Sequence, residues 1–207
     1  MDNSSDARAG RGEHYFSSEP HGELNARDLH VHLAGKDLRL VTGSGIFSPD
    51  HLDTGTRVLL RKAPQPPQHG NLLDIGCGWG PIALSLALSS PQARVWAIDV
   101  NERARELTRR NAELAGVKNI TVCGPDEVPS DLNFAGIWSN PPVRIGKGPL
   151  QALMSQWLER LTMDGDAWLV IQRHLGADSL HRWLAGQGWQ VERAGSAKGF
   201  RVLHVAR

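Results

Sequence analysis

Residues 71–82 read Asn71-Leu72-Leu73-Asp74-Ile75-Gly76-Cys77-Gly78-Trp79-Gly80-Pro81-Ile82. A short apolar run leads into three alternate glycines, and a proline follows at once. The run predicts a buried strand. Pro81 predicts the first residue of a helix, where a missing N–H costs nothing. A strand, a glycine turn and a helix in this order make a ligand cradle. Glycine lets the backbone approach a bound group closely, and the helix N-terminus offers it free N–H groups. The spacing is not the GxGxxG of a dinucleotide loop, and Asp74 stands two residues before Gly76. An acid there repels a pyrophosphate and favours a zwitterionic or cationic cofactor, which argues against a nicotinamide dehydrogenase.

Working outward, strands and helices alternate. Strands are expected at 71–75, 94–98, 119–123, 134–138, 167–171, 189–192 and 200–205. Helices are expected from Pro81, from Asn101 to Ala115 before Gly116, from Pro149 and over 176–186. The helix from Pro149 carries Leu150, Leu153, Met154, Trp157, Leu158 and Leu161 on one stripe, the spacing of a helix laid on a sheet. The alternation predicts a mainly parallel sheet with helices on both faces, closed by an antiparallel hairpin. Upstream, Leu29, Val31 and Leu33 alternate with histidines, and Leu38 and Leu40 flank Arg39, a period of two that reads as strand. Asp53 to Lys62 reads as a helix capped by Asp53 or Thr54. The expected organisation is a disordered tail at 1–13, a mostly β extension at 14–62, a proline-rich connector at 63–70 and the main α/β unit at 71–207.

The 207 residues are 40% hydrophobic and 22% charged, with a net charge of +1. These values suit a globular chain and exclude a wholly basic nucleic-acid coat. The two cysteines, Cys77 and Cys123, have no metal-ligand spacing and make no disulfide framework. No apolar stretch approaches the ~20 residues that span a bilayer, and the first residues lack a signal-peptide core. An intracellular, cytoplasmic protein without a metal is the expectation.

Three further positions carry chemistry. Asp99 ends the second strand of the unit, where ligands of doubly wound sheets bind; it is placed to hold two ribose hydroxyls. Asp126, beyond the third strand, could approach an adenine. Ser139-Asn140-Pro141-Pro142 follows the fourth strand. Prolines donate no hydrogen bond and hold the preceding residue extended, so the segment presents carbonyl oxygens, and Asn140 adds a side-chain oxygen. Two such acceptors can hold the two hydrogens of an exocyclic amine and aim its lone pair at an electrophile, which is catalysis by orientation. Val143 stands where an aromatic side chain could stack on a flipped base.

With these residues assembled, the chain resembles the class I S-adenosylmethionine-dependent methyltransferases. Within them it is similar to the "methyltransferase small" domain of ribosomal RNA guanine-N2 methyltransferases and their compact single-domain relatives. The landmarks are His14 to Ser17, Gly45 to Ser48, Asp53-Thr54-Gly55-Thr56, Leu73 to Ile82, Asp99-Val100-Asn101, Ser139 to Lys147, Ile171-Gln172 and Lys198 to Leu203. The resemblance implies a Rossmann-like, doubly wound seven-stranded sheet whose last strand is antiparallel. It implies S-adenosyl-L-methionine as cofactor, held by Asp74, Gly76, Cys77, Gly78, Gly80, Asp99, Val100, Asp126 and Asn140. Asn140, Pro141 and Pro142 are implied as catalytic. Val143, Arg144 and Lys147 are implied as substrate-binding, with RNA, as ribosomal RNA or the small ribosomal subunit, as partner. The larger ribosomal enzymes carry a second, inactive copy of the domain, for which this chain has no room.

Residues 143–207 hold nine Lys/Arg against five Asp/Glu. Arg144, Lys147, Arg173, Lys198 and Arg201 are candidates for phosphate contacts. The leading expectation is therefore an N-methyltransferase of a guanine exocyclic amine in ribosomal RNA, monomeric or weakly dimeric. A protein glutamine amide, adenine N6 in DNA, and a non-catalytic cofactor- or RNA-binding module are the alternatives.

Overall fold

A computed structural model describes residues 26–207 except Phe47 and Pro49. The expected tail and the landmark His14 to Ser17 lie outside the described residues. The element order is β1 (Arg27–Leu33), β2 (Lys36–Thr42), α1 (Thr54–Lys62), β3 (Asn71–Ile75), α2 (Pro81–Ser89), β4 (Arg94–Ile98) and α3 (Glu102–Leu114). It continues with β5 (Ile120–Cys123), β6 (Phe134–Ser139), α4 (Lys147–Leu158), β7 (Leu161–Gln172), α5 (Ala177–Gly186), β8 (Gln190–Ala197) and β9 (Phe200–Ala206).

β1 and β2 form a two-stranded antiparallel sheet. The other strands form a seven-stranded sheet in the order β5-β4-β3-β6-β7-β9-β8. β3 to β7 run parallel, and β9 is antiparallel to both its neighbours. The expected doubly wound sheet with an antiparallel last strand is the observed one. Because consecutive strand residues face opposite ways, Leu73 and Ile75 of β3 pack with Met154 and Trp157 of α4 and Leu180 of α5. Leu72 joins Val58 and Leu59 of α1 and Ile82 and Leu86 of α2 on the other face. The β1–β2 hairpin closes over α3 through Leu40, Val41 and Leu107. Buried Asn111 of α3 accepts from the Val41 N–H at 2.7 Å and donates to the carbonyls of Val41 and Trp79, both at 2.8 Å. The buried Asn111 amide is thereby satisfied at both its oxygen and its nitrogen.

Local signals set most element ends. Asn101 caps α3 by accepting from the Arg103 N–H at 3.0 Å. Asp53 caps α1 by accepting from the Thr56 N–H at 2.9 Å. Three expectations need correction. The stripe helix α4 begins at Lys147, so Pro149 sits inside its first turn, where N–H groups lack intrahelical partners anyway. It ends at Leu158, and Leu161 keeps the helical spacing yet belongs to β7, paired with Phe134. The Phe134 N–H donates to the Arg160 carbonyl at 2.8 Å, which draws the chain into the sheet. β7 therefore starts six residues earlier than expected, through a register break in which exposed Thr162, Met163 and Asp164 have no apolar alternation to report it. β8 likewise runs beyond 192 to Ala197, because an edge strand paired only with β9 keeps polar residues on its open side.

Candidate functional site

A cavity of about 660 Å³ opens beyond the carboxyl ends of β3, β4, β6 and β7. Gly76, Cys77 and Gly78 line it from the loop after β3, Asp99 and Val100 from the end of β4, and Asn140, Pro141, Pro142, Val143 and Arg144 from the end of β6. Three separate sequence signals thus converge on one space.

The loop and the first acid are built as one piece. Asp99 Oδ2 accepts from the Gly78 N–H at 3.0 Å and Oδ1 from the Asn101 N–H at 2.9 Å. Burial raises the Asp99 carboxyl above its ordinary range, and the Asn101 and Gly78 N–H groups pull it back. Thr108 of α3 donates to the Gly78 carbonyl at 2.9 Å. Gly78 has φ +58, and a Cβ there would meet no protein atom within 4 Å. Its side of the loop faces open space that a ligand can enter.

Asp74 lies beneath the loop and is fully buried, outside the cavity lining. Its Oδ2 accepts from the Ala83 N–H at 3.0 Å, while Oδ1 has no protein partner. Burial pushes its pKa up to about 8; the Ala83 N–H opposes this and Asp99 adds to it. Burial also raises the Cys77 thiol. Gly80 caps α2 with φ +94 and packs on Thr108, away from the cavity. Asp126 sits exposed on a short turn at 125–127, and only its neighbour Pro125 reaches the lining. Lys147 is exposed on the first turn of α4, outside the lining. These four stand away from the space that the other candidates share.

The Asn140 segment hangs from buried Ser139, whose hydroxyl donates to the Ile75 carbonyl at 2.7 Å and ties the end of β6 to the end of β3. Asn140 Nδ2 donates to Asp53 Oδ2 at 2.8 Å and to Thr56 Oγ1 at 3.1 Å. Both amide hydrogens are taken, so the amide oxygen is the group left to accept. The Pro141 carbonyl accepts from the Val143 N–H at 2.8 Å. A carbonyl has a second lone pair, and Pro141 also lines the cavity.

In the sequence Asp53 reads as a helix cap, and Asp53 to Thr56 as a family landmark without an assigned role. Asp53 and Thr56 in fact line the cavity, as do Gln172 at the end of β7 and Phe200 at the start of β9. Gln172 and Phe200 are register partners. The signal for the last pair was their place in two of the family landmarks. Among the described residues no group of three His, Cys, Asp or Glu could hold a metal ion, and no helix is long and apolar enough to cross a membrane.

A sequence model of the methyltransferase small domain matches residues 37–204. The chain belongs to this family. Protein YbxB of Bacillus subtilis (strain 168) is 37% identical over 198 residues, covering 94% of this chain and 98% of that one. Ribosomal RNA small subunit methyltransferase C of Stutzerimonas stutzeri (strain A1501) is 30% identical over 171 residues, 76% of this chain and 51% of its own. The chain spans about half the length of the ribosomal RNA enzymes it matches. Among solved structures, a T. thermophilus 16S rRNA N2 G1207 methyltransferase in complex with AdoMet and guanosine superposes with a TM-score of 0.77. It is 22% identical and covers 91% of this chain and 52% of its own. This methyltransferase small domain therefore shares its fold.

Proposed function

We propose that this methyltransferase moves a methyl group from S-adenosyl-L-methionine to the N2 exocyclic amine of a guanine in ribosomal RNA. The observation that carries the reading is the meeting, in one cavity, of the Gly78–Asp99 unit and an Asn140 amide with only its oxygen free. The residues fit the cofactor: an acid at the end of β4 for the ribose, open space beside Gly78 for the methionine part, and half-exposed Val100 at the mouth for the base. The cofactor, when bound, supplies an electrophilic methyl group on a positively charged sulfur. Asn140 Oδ1 and the Pro141 carbonyl would accept the two hydrogens of the target amine and aim its lone pair. A methyl group passed to the nitrogen so held would form the N–C bond as the C–S bond breaks, and the amine would release one proton to solvent.

RNA as the substrate is supported by the names of the relatives and by a basic rim beside the cavity. Arg144 on the lining, Arg173 next to lining Gln172, and Lys198 two residues before lining Phe200 are exposed, and among the described residues their side chains have no ion-pair or hydrogen-bond partner; Lys147 stands outside this rim. The Arg173 N–H donates to the Gly199 carbonyl at 2.8 Å, which holds the turn bearing Lys198 beside the end of β7. Arg201 leaves the candidate set. It is ion-paired to Asp178, which also binds Arg193 at 3.0 Å.

The test supplies the protein with radiolabelled methyl donor and, separately, with ribosomal subunits, DNA and the protein fraction of cells lacking it, and maps the labelled nucleoside or residue. Label in N2-methylguanosine is expected. Label in N6-methyladenosine of DNA or in protein glutamine would replace the guanine reading. Cofactor binding without transfer to any fraction would point to a binding module.

A further inference from the structure

We propose that Asp53 is a positioning residue for methyl transfer: it acts through Asn140 and fixes which end of that amide faces the substrate nitrogen. The inference rests on the reading that Asn140 holds the target amine. The two ends of a carboxamide have nearly the same shape and opposite hydrogen-bonding sense. Turned over, Asn140 would present N–H groups to an amine that itself donates, and the contact would be lost. Something must therefore select one orientation.

The first turn of α1 supplies the selector. Asn140 Nδ2 faces both Asp53 Oδ2 and Thr56 Oγ1. A threonine hydroxyl can donate or accept, so Thr56 tolerates either orientation. An ionised carboxylate only accepts, so Asp53 rejects the amide oxygen and takes the NH2. Asp53 is itself held, since the same Oδ2 accepts from the Thr56 N–H at 2.9 Å as the cap of α1. Gly55 makes room for this arrangement: a Cβ there would lie 2.9 Å from Asp53 Oδ2 and 2.8 Å from the Phe200 ring. An element placed before β3 thus sets the polarity of a residue 87 positions later. Hydrogen bonding at Nδ2 also polarises the amide and strengthens Oδ1 as an acceptor.

The experiment is a double-mutant cycle on the full chain, read with ribosomal subunits from cells lacking the protein. Asp53→Ser keeps a good helix cap but is too short to reach Asn140. It is expected to lower kcat about tenfold or more, with cofactor Kd within about twofold of the parent. In an Asn140→Ala background the same change is expected to cost nothing further, the non-additivity of residues acting as a unit. Asp53→Asn keeps the size and the cap but can offer either end of its own amide. It should lose less kcat, coupled to Asn140 in the same way, and it serves if the serine variant does not fold. Equal losses from Asp53→Ser with and without Asn140, or parent kcat in Asp53→Ser, would overturn the proposal alone. Parent turnover in Asn140→Ala would instead remove the reading of Asn140, and this proposal with it.

Discussion

The Gly78 N–H and the Asp99 carboxylate are joined at 3.0 Å, so the glycine loop after β3 and the acid after β4 form a single unit. The Asp99 carboxyl is also held by the Asn101 N–H and favoured in its charged form by the Val100 backbone and the nearby Arg105. A change at Asp99 releases the loop as well as removing a ligand contact. Asp99→Ala is expected to weaken S-adenosylmethionine about 10- to 100-fold, the worth of charged hydrogen bonds. Isothermal calorimetry reads this directly, and parent affinity would remove Asp99 from the cofactor site.

Asn140→Ala is expected to separate binding from turnover. Cofactor affinity should hold, while kcat falls by about 10²–10³, as for loss of one preorganised polar contact. Single-turnover transfer from labelled donor measures the fall.

Asp74 gives a pH signature in stability. Its pKa, about 8 in the fold, lies above the ordinary 3.8. Between those values the folded chain holds a proton that the unfolded chain has released. Its contribution is complete in acid and is lost as pH rises towards 8. The slope is at most about 1.4 kcal/mol per pH unit. Thermal unfolding from pH 5 to 8 should show a shallower decline for Asp74→Asn than for the parent. Parallel curves would contradict the burial argument.

The basic rim should act on RNA alone. Arg173→Ala and Lys198→Ala are each expected to weaken RNA binding across sequences and to lower the salt slope by about 1. Cofactor affinity should stay put. Arg201→Ala, by contrast, should leave the salt slope alone, because Asp178 already occupies that guanidinium. Filter binding at several salt concentrations distinguishes the two classes.

Gly55→Ala should destabilise by about 1–3 kcal/mol, the usual cost of overpacking. The added methyl meets Phe200 and Asp53 within 3 Å. Chemical denaturation measures the loss, and an unchanged midpoint would mean the ring moves aside freely.

Features encoded within a few residues of themselves were legible in the sequence. The strand before Gly76, the helix opening at Pro81 and the Asn101 cap depend on local patterning, and all three stand in the fold. What was hidden depends on distant partners. Leu161 has helical spacing from Leu158, and only its pairing with Phe134 makes it strand. Asp126 follows a strand end just as Asp99 does, yet the turn at 125–127 carries it to the surface. Asp53 looked like any other helix cap because nothing near it in the sequence points to Asn140. The loss of Arg201 from the phosphate candidates rests on where Asp178 lies.

The insertion of β9 between β7 and β8 gives the turn at 198–199 unusual leverage. A protease cutting there would sever the hairpin at the point where one wall of the cavity begins. If the fragment beyond the cut departed, the outer strand would lose its sole neighbour, and two ribbons of sheet would come away for a single broken peptide bond. RNA lying across Lys198 would shield that bond, so resistance to digestion would report occupancy of the rim.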